Sequence, residues 1–219
     1  MEQPWNWLVV IYLFLGGLGA GAYLTSFAAD LGWLGKNPWL KKIGYLIGGP
    51  IVGIGTGMLV FDLGQGFYKP WILWRLVTNF SSVMTWGTIV LTVFILVGVL
   101  VGFLTFIKKP VSRTLSGMGA LLAVATGVYT GFLVSVIDAV PFWSSGIIPV
   151  IFFVSALSTG LSITVLLSHL LGREEFGSRI DLIHILLIST ELVAVAVFVW
   201  MMTSGVNGSI AQKSAALIT

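Results

Sequence analysis

The stretch WLVVIYLFLGGLGAGAYLTSFA, residues 7–28, decides the class of fold, because no charged side chain interrupts it between Trp7 and Ala28. A helix advances about 1.5 Å per residue, so about 20 mostly apolar residues cross a hydrocarbon layer about 30 Å thick. A secretory leader has a shorter apolar core, a basic start and a small-residue cleavage site. None of these frames the stretch, and the expectation is a retained span.

Five further stretches have the same character: Ile43–Leu63, Ser82–Ile107, Leu115–Ile137, Ile147–Leu171 and Ile180–Met202. The pattern predicts an all-α, polytopic transmembrane bundle with six spans. Composition agrees, since the 219 residues are 57% hydrophobic and 9% charged, whereas soluble domains carry about 25% charged residues. There is no cysteine, which excludes disulfides, thiolate metal sites and iron–sulfur clusters held by this chain's own thiols. With only His169 and His184, imidazole sites are scarce, so neither metal nor haem nor flavin is expected here. The net charge of +3 needs no nucleic acid to explain it. Residues 67–80, with Trp71, Trp74 and Arg75, read as a short interfacial helix or an extended loop.

Lysine and arginine collect in cytoplasmic connections. Lys36, Lys41, Lys42, Lys108, Lys109, Arg113, Arg173 and Arg179 fall on one side, against Lys69, Arg75 and Lys213 on the other. Eight against three puts the first group in the cytoplasm and both termini outside.

An internal echo runs through the chain. Phe14, Gly17, Leu18 and Gly21 of the first span match Phe153, Ala156, Leu157 and Gly160 of the fifth at a constant offset. Such an echo implies parallel repeats. It divides the single membrane domain, 1–219, into a four-helix bundle over 7–138 and the start of a second over 147–202, with 203–219 the stub of a further span. Six visible spans are then the beginning of eight, and truncation is the expectation.

Ionisable side chains inside a membrane usually face a partner or a cavity. Glu191 lies midway along the sixth span, with His184 two turns nearer the cytoplasm, and the pair is a candidate proton relay. His169, at a helix end, reads as interfacial. Tyr12, Asp62, Tyr129 and Asp138 come out at one outer level although they sit on three helices, and Ser81, Ser82, Thr85 and Trp86 join them. Phenol donors, carboxylates and indole beside an apolar interior suit a quinone. Its carbonyls need donors, its tail needs lipid, and its reduction needs protons.

The blocks Trp5-Asn6-Trp7 with Tyr12–Tyr23, then Phe61-Asp62-Leu63-Gly64, Ser81–Gly87 and Tyr129-Thr130-Gly131 follow one another in order. Together they resemble the polysulfide-reductase membrane subunits of the NrfD/PsrC type, well over residues 5–140 and loosely beyond. The resemblance implies a haem-free quinone-reactive anchor that pairs with a four-cluster ferredoxin-like iron–sulfur subunit and a molybdopterin catalytic subunit. Menaquinone or ubiquinone is then the bound substrate. By position the family's polar quinone contacts on the first and fourth helices become Tyr12 and Tyr129. Some relatives carry histidine where Tyr12 stands, so a donor is kept but a cation is not. The family core has eight helices.

Within this reading Tyr12, Asp62 and Tyr129 are the reactive set, and Ser82, Trp86 and Asp138 complete the quinone pocket. The chief rival is a polytopic transporter or proton channel, favoured by Glu191 and by Pro50 in the glycine-rich second span. A haem-binding anchor and a passive anchor are the other two.

Overall fold

The computed structural model describes residues 7–35, 37–62, 83–135, 146–172 and 178–203. They form six helices: α1 (Trp7–Asp30), α2 (Pro38–Asp62), α3 (Val83–Phe106), α4 (Arg113–Ser135), α5 (Ile148–Leu170) and α6 (Ser178–Thr203). Among the described residues there is no strand. All six helices are long and apolar enough to cross a membrane, and the chain is a multi-pass membrane protein. Residues 67–80, Ser81, Ser82, Asp138 and 204–219 lie outside the described residues, as does the side chain of Asp62.

Most helix ends lie within two residues of the hydropathy reading, and the start of α2 departs furthest from it. α1 continues past Ala28 to Asp30, and α2 begins at Pro38 rather than Ile43. The α2 start has a local cause that hydropathy does not register. The Asn37 side-chain oxygen accepts from the backbone N–H groups of Trp39 (2.9 Å) and Leu40 (3.4 Å), and proline follows at the first helical position. Ser26 Oγ, donating to the Leu40 carbonyl at 2.5 Å, ties this start to α1. Substituting Asn37 by alanine removes a cap worth about 1 kcal/mol. Amide exchange at Trp39 and Leu40 should accelerate about five-fold, with the core of α2 unaffected.

Helix ends on the same side share a cap. After α1, Gly32 N–H donates to Ala29 and Trp33 N–H to Ala28, with Gly32 at φ 82°. After α3, Lys108 N–H donates to Thr105 and Lys109 N–H to Leu104 in the same pattern, with Lys108 at φ 57°. Glycine is the usual residue at that left-handed position. Lysine there carries a steric cost of roughly 1–2 kcal/mol.

In lipid no hydrophobic effect draws helices together, so close backbone approach must hold the bundle. α1 to α4 pack around a core that centres on Tyr23. Its ring meets Tyr45 of α2 edge-on (centroids 4.9 Å apart) and Phe94 of α3 (5.5 Å), while its hydroxyl donates to the Ser116 carbonyl of α4 at 3.3 Å. α1 and α2 cross in antiparallel register, and a Cβ on Gly19 would stand 2.7 Å from the Gly48 carbonyl oxygen.

α5 packs on α1 and α4, and α6 packs on α5 and is otherwise largely exposed. The echoed residues of α1 and α5 lie against one another. A Cβ on Gly17 would touch the Ala156 Cβ at 3.4 Å, and one on Gly160 would overlap the Gly21 backbone. Thr25 donates to the Gly21 carbonyl at 2.9 Å, and Thr164 donates to the Gly160 carbonyl at 3.0 Å.

Candidate functional site

Tyr12 sits early in α1 and is completely buried, at 0% exposure. Gly55 of α2 lets the helices close here: a Cβ at Gly55 would stand 3.0 Å from the Leu15 Cβ and 3.4 Å from the Tyr12 carbonyl oxygen. Tyr129 of α4 packs against the same core cluster. Its ring lies directly over Gly87 of α3, where any Cβ would fall within the ring. Both phenol rings therefore belong to one packed cluster. Residues far apart in the chain thus meet in one four-helix cluster.

Tyr12 is one of three side chains among the described residues whose buried polar atom lacks a hydrogen-bond partner. Threonines of α4 return their hydroxyl protons to their own helix: Thr126 to the Leu122 carbonyl (2.9 Å), Thr130 to that of Gly127 (2.8 Å). The Tyr12 hydroxyl is buried and has no partner among the described residues. An unmet buried hydroxyl costs about 1–3 kcal/mol, and such groups in a native fold call for an explanation, a ligand among them. Thr56 Oγ1, next to Gly55, is a second buried oxygen without a partner. Sequence reasoning passed over Thr56. The available signal was its being the one polar side chain between Ile51 and Phe61.

The polysulphide reductase NrfD family model matches residues 1–219. The chain belongs to the NrfD family. It is similar to the polysulfide reductase C subunit of Wolinella succinogenes, with 32% identity over 82% of this chain and 63% of that protein. Protein NrfD of Escherichia coli is 31% identical over 74% of this chain and 58% of its own. A Haemophilus influenzae NrfD homologue is 28% identical over 77% and 60%. The chain therefore spans about three-fifths of the length of the curated relatives it matches. No solved structure matches it.

Other candidates in this NrfD-family chain fall in different places. Thr85 of α3 is buried at 1%, and its neighbour Trp86 is 57% exposed. Asp62 closes α2. Its side chain, together with Ser82 and Asp138, lies outside the described residues. His184 Nε2 is 2.8 Å from Ser162 Oγ, a bond joining α6 to α5. Glu191 is half-buried and makes no hydrogen bond or ion pair among the described residues. Seven residues separate His184 from Glu191, which puts them on one face of α6 about 10 Å apart, too far for a direct bond. His169 is exposed at the end of α5.

Among the described residues no three His, Cys, Asp or Glu side chains gather as metal ligands. A separate apolar groove of about 250 Å³ runs between α1 and α5, lined by Phe14, Gly17, Phe152 and Ala156 among others. It lies on the face of α1 opposite Tyr12, since these positions fall about 160° around the helix from it.

Proposed function

We propose that this chain is the quinone-reactive membrane subunit of a respiratory oxidoreductase, and that quinone or quinol bonds to Tyr12 and Tyr129. The observation that carries this is the Tyr12 hydroxyl, buried and without a partner among the described residues, in a packed cluster that also holds the Tyr129 ring of another helix. A quinone carbonyl would accept from it, and a quinol hydroxyl would donate to it. Thr56 supplies a further hydroxyl on α2.

Oxidation of a quinol releases two electrons and two protons. Asp62 is the proposed proton acceptor, with Asp138 assisting and Ser82 and Trp86 bordering the ring. A general base must come within hydrogen-bond reach of the hydroxyl it deprotonates. The electrons pass to a partner subunit, for which a four-cluster ferredoxin-like iron–sulfur protein and a molybdopterin enzyme are the proposed candidates. Polysulfide reduction is what the Wolinella relative's name states, and a reductase arm of that kind fits the proposal. The arginine and lysine count supports a site on the outer side, with the start of α1 and the end of α6 on that same side.

The decisive experiment is quinol-dependent turnover of the assembled complex with Asp62→Asn. Removing a general base should cost about 10²–10⁴-fold without loss of the partner subunits. Unchanged turnover would remove Asp62 from the mechanism. Failure to co-purify with an iron–sulfur subunit would favour the transporter reading.

Glu191, unpaired among the described residues and within a span, supports proton transfer on α6, with His184 as the other member. Glu191→Gln should then leave quinol oxidation intact but lower the membrane potential it generates. Equal potentials in the two proteins would refute the relay.

The chain also reads as one four-helix unit followed by the first helices of a second. The α1–α5 register supports this, as does a shared offset in the next pair. Tyr23 meets Tyr45, and at the same offset Ser162 meets His184.

A further inference from the structure

We propose that the lysine-rich end of the bundle binds the phosphate of an anionic phospholipid headgroup, in a cavity framed by α1, α2 and the α3–α4 turn. The cavity holds about 510 Å³, and Asp30, Lys41, Lys42, Lys108 and Lys109 line it with Tyr45. Four lysines against one aspartate make it strongly positive. Asp30 takes one of them, in an ion pair with Lys41 at 2.5 Å. Lys42 rests over the Trp39 ring at 5.3 Å. Lys42, Lys108 and Lys109 have no carboxylate partner among the described residues.

A general excess of lysine at one membrane face would account for charge alone. Two features need more. The Tyr45 side chain, 1% exposed, stands in the cavity wall, and its buried hydroxyl has no hydrogen-bond partner among the described residues. Asp30 and Ser116 lie near that hydroxyl without reaching bonding geometry. A phosphate oxygen in the cavity would accept from it. Second, Lys108 occupies a left-handed position that suits glycine, as the matching Gly32 after α1 shows. A charged residue kept at a cavity wall in a strained backbone conformation points to a role for its charge.

Phospholipid rather than free phosphate fits the setting. The cavity opens where three spans end, at headgroup depth, with Pro110 and Val111 forming an apolar wall. Basic pockets between helix ends are a known style of headgroup site.

The test uses the detergent-extracted protein with its full chain, stripped of lipid and titrated with phosphatidylglycerol or phosphatidylcholine, with binding read by native mass spectrometry. Phosphatidylglycerol should bind preferentially, and about five-fold more weakly for each of Lys108→Gln and Lys109→Gln. Tyr45→Phe should weaken it several-fold. Lys108→Gly should keep the fold and weaken binding as much as Lys108→Gln, because glycine satisfies the turn but not the anion. Arg179→Gln, exposed on α6 and outside the cavity, should change nothing. Equal weakening by Arg179→Gln, no preference between the lipids, or occupation by inorganic phosphate as tight as by lipid would each overturn the proposal.

Discussion

Replacing Tyr12 and Tyr129 together by phenylalanine should lower quinol turnover about 10- to 100-fold while the ligand-free protein becomes no less stable. The two effects have one source. Phenylalanine keeps the ring, so Tyr12 still fills its core position and Tyr129 still covers Gly87. What disappears at position 12 is a buried hydroxyl with no hydrogen-bond partner among the described residues. Its removal relieves about 1–3 kcal/mol of unmet desolvation. If the hydroxyl has a structural partner, the variant loses stability instead. If it awaits a ligand, stability holds or rises and turnover falls, because each lost bond to the reacting ring weakens transition-state binding. Thermal unfolding without quinone, beside steady-state kinetics with a short-chain quinol, separates the outcomes. Tyr12→Phe alone should show most of the stability gain.

Gly160→Leu should be among the most damaging single changes in the described helices. A Cβ at this position already collides with the Gly21 backbone, so α5 must move away from α1 before any side chain fits. Close contact is what holds helices together in lipid, and overpacking a rigid contact costs about 1–3 kcal/mol even when flexible side chains absorb it. Here the obstacle is backbone, so a loss at or above the top of that range is expected. α5 should separate from α1, carrying α6 with it, and the α5–α6 turn should become protease-sensitive. Gly57→Ala serves as the control, since nothing stands within 4 Å of its Cβ position. A normal proteolysis pattern in Gly160→Leu would contradict the described α1–α5 contact.

The bundle was legible in the sequence because lipid imposes one rule, that every span be apolar and about 20 residues long. The glycine echo was legible too, although the pattern alone did not reveal that its two copies touch. Helix starts were less visible. Hydropathy begins α2 at Ile43, whereas Asn37 and Pro38 begin it five residues earlier through a side-chain cap. Tyr12 and Tyr129 could be matched to a family pattern, and the structure brings them to one cluster. That Tyr12 is unpartnered could not be read from sequence, because it depends on where four helices leave their donors and acceptors. Thr56 went unnoticed for the same reason. The serine facing His184 was likewise hidden, as helix pairing and not spacing brings Ser162 to it.

The central claim is that quinone sits between α1 and α4 at the tyrosine pair. Photolysis of an azido-quinone bound to the assembled complex, followed by peptide mapping, tests it directly. Label should fall on peptides from α1 around Tyr12 and from α4 around Tyr129, excess unlabelled quinone should displace it, and the double phenylalanine variant should reduce it. Displaceable label confined to the α1–α5 groove around Phe14 and Phe152, or on α6, would contradict the assignment.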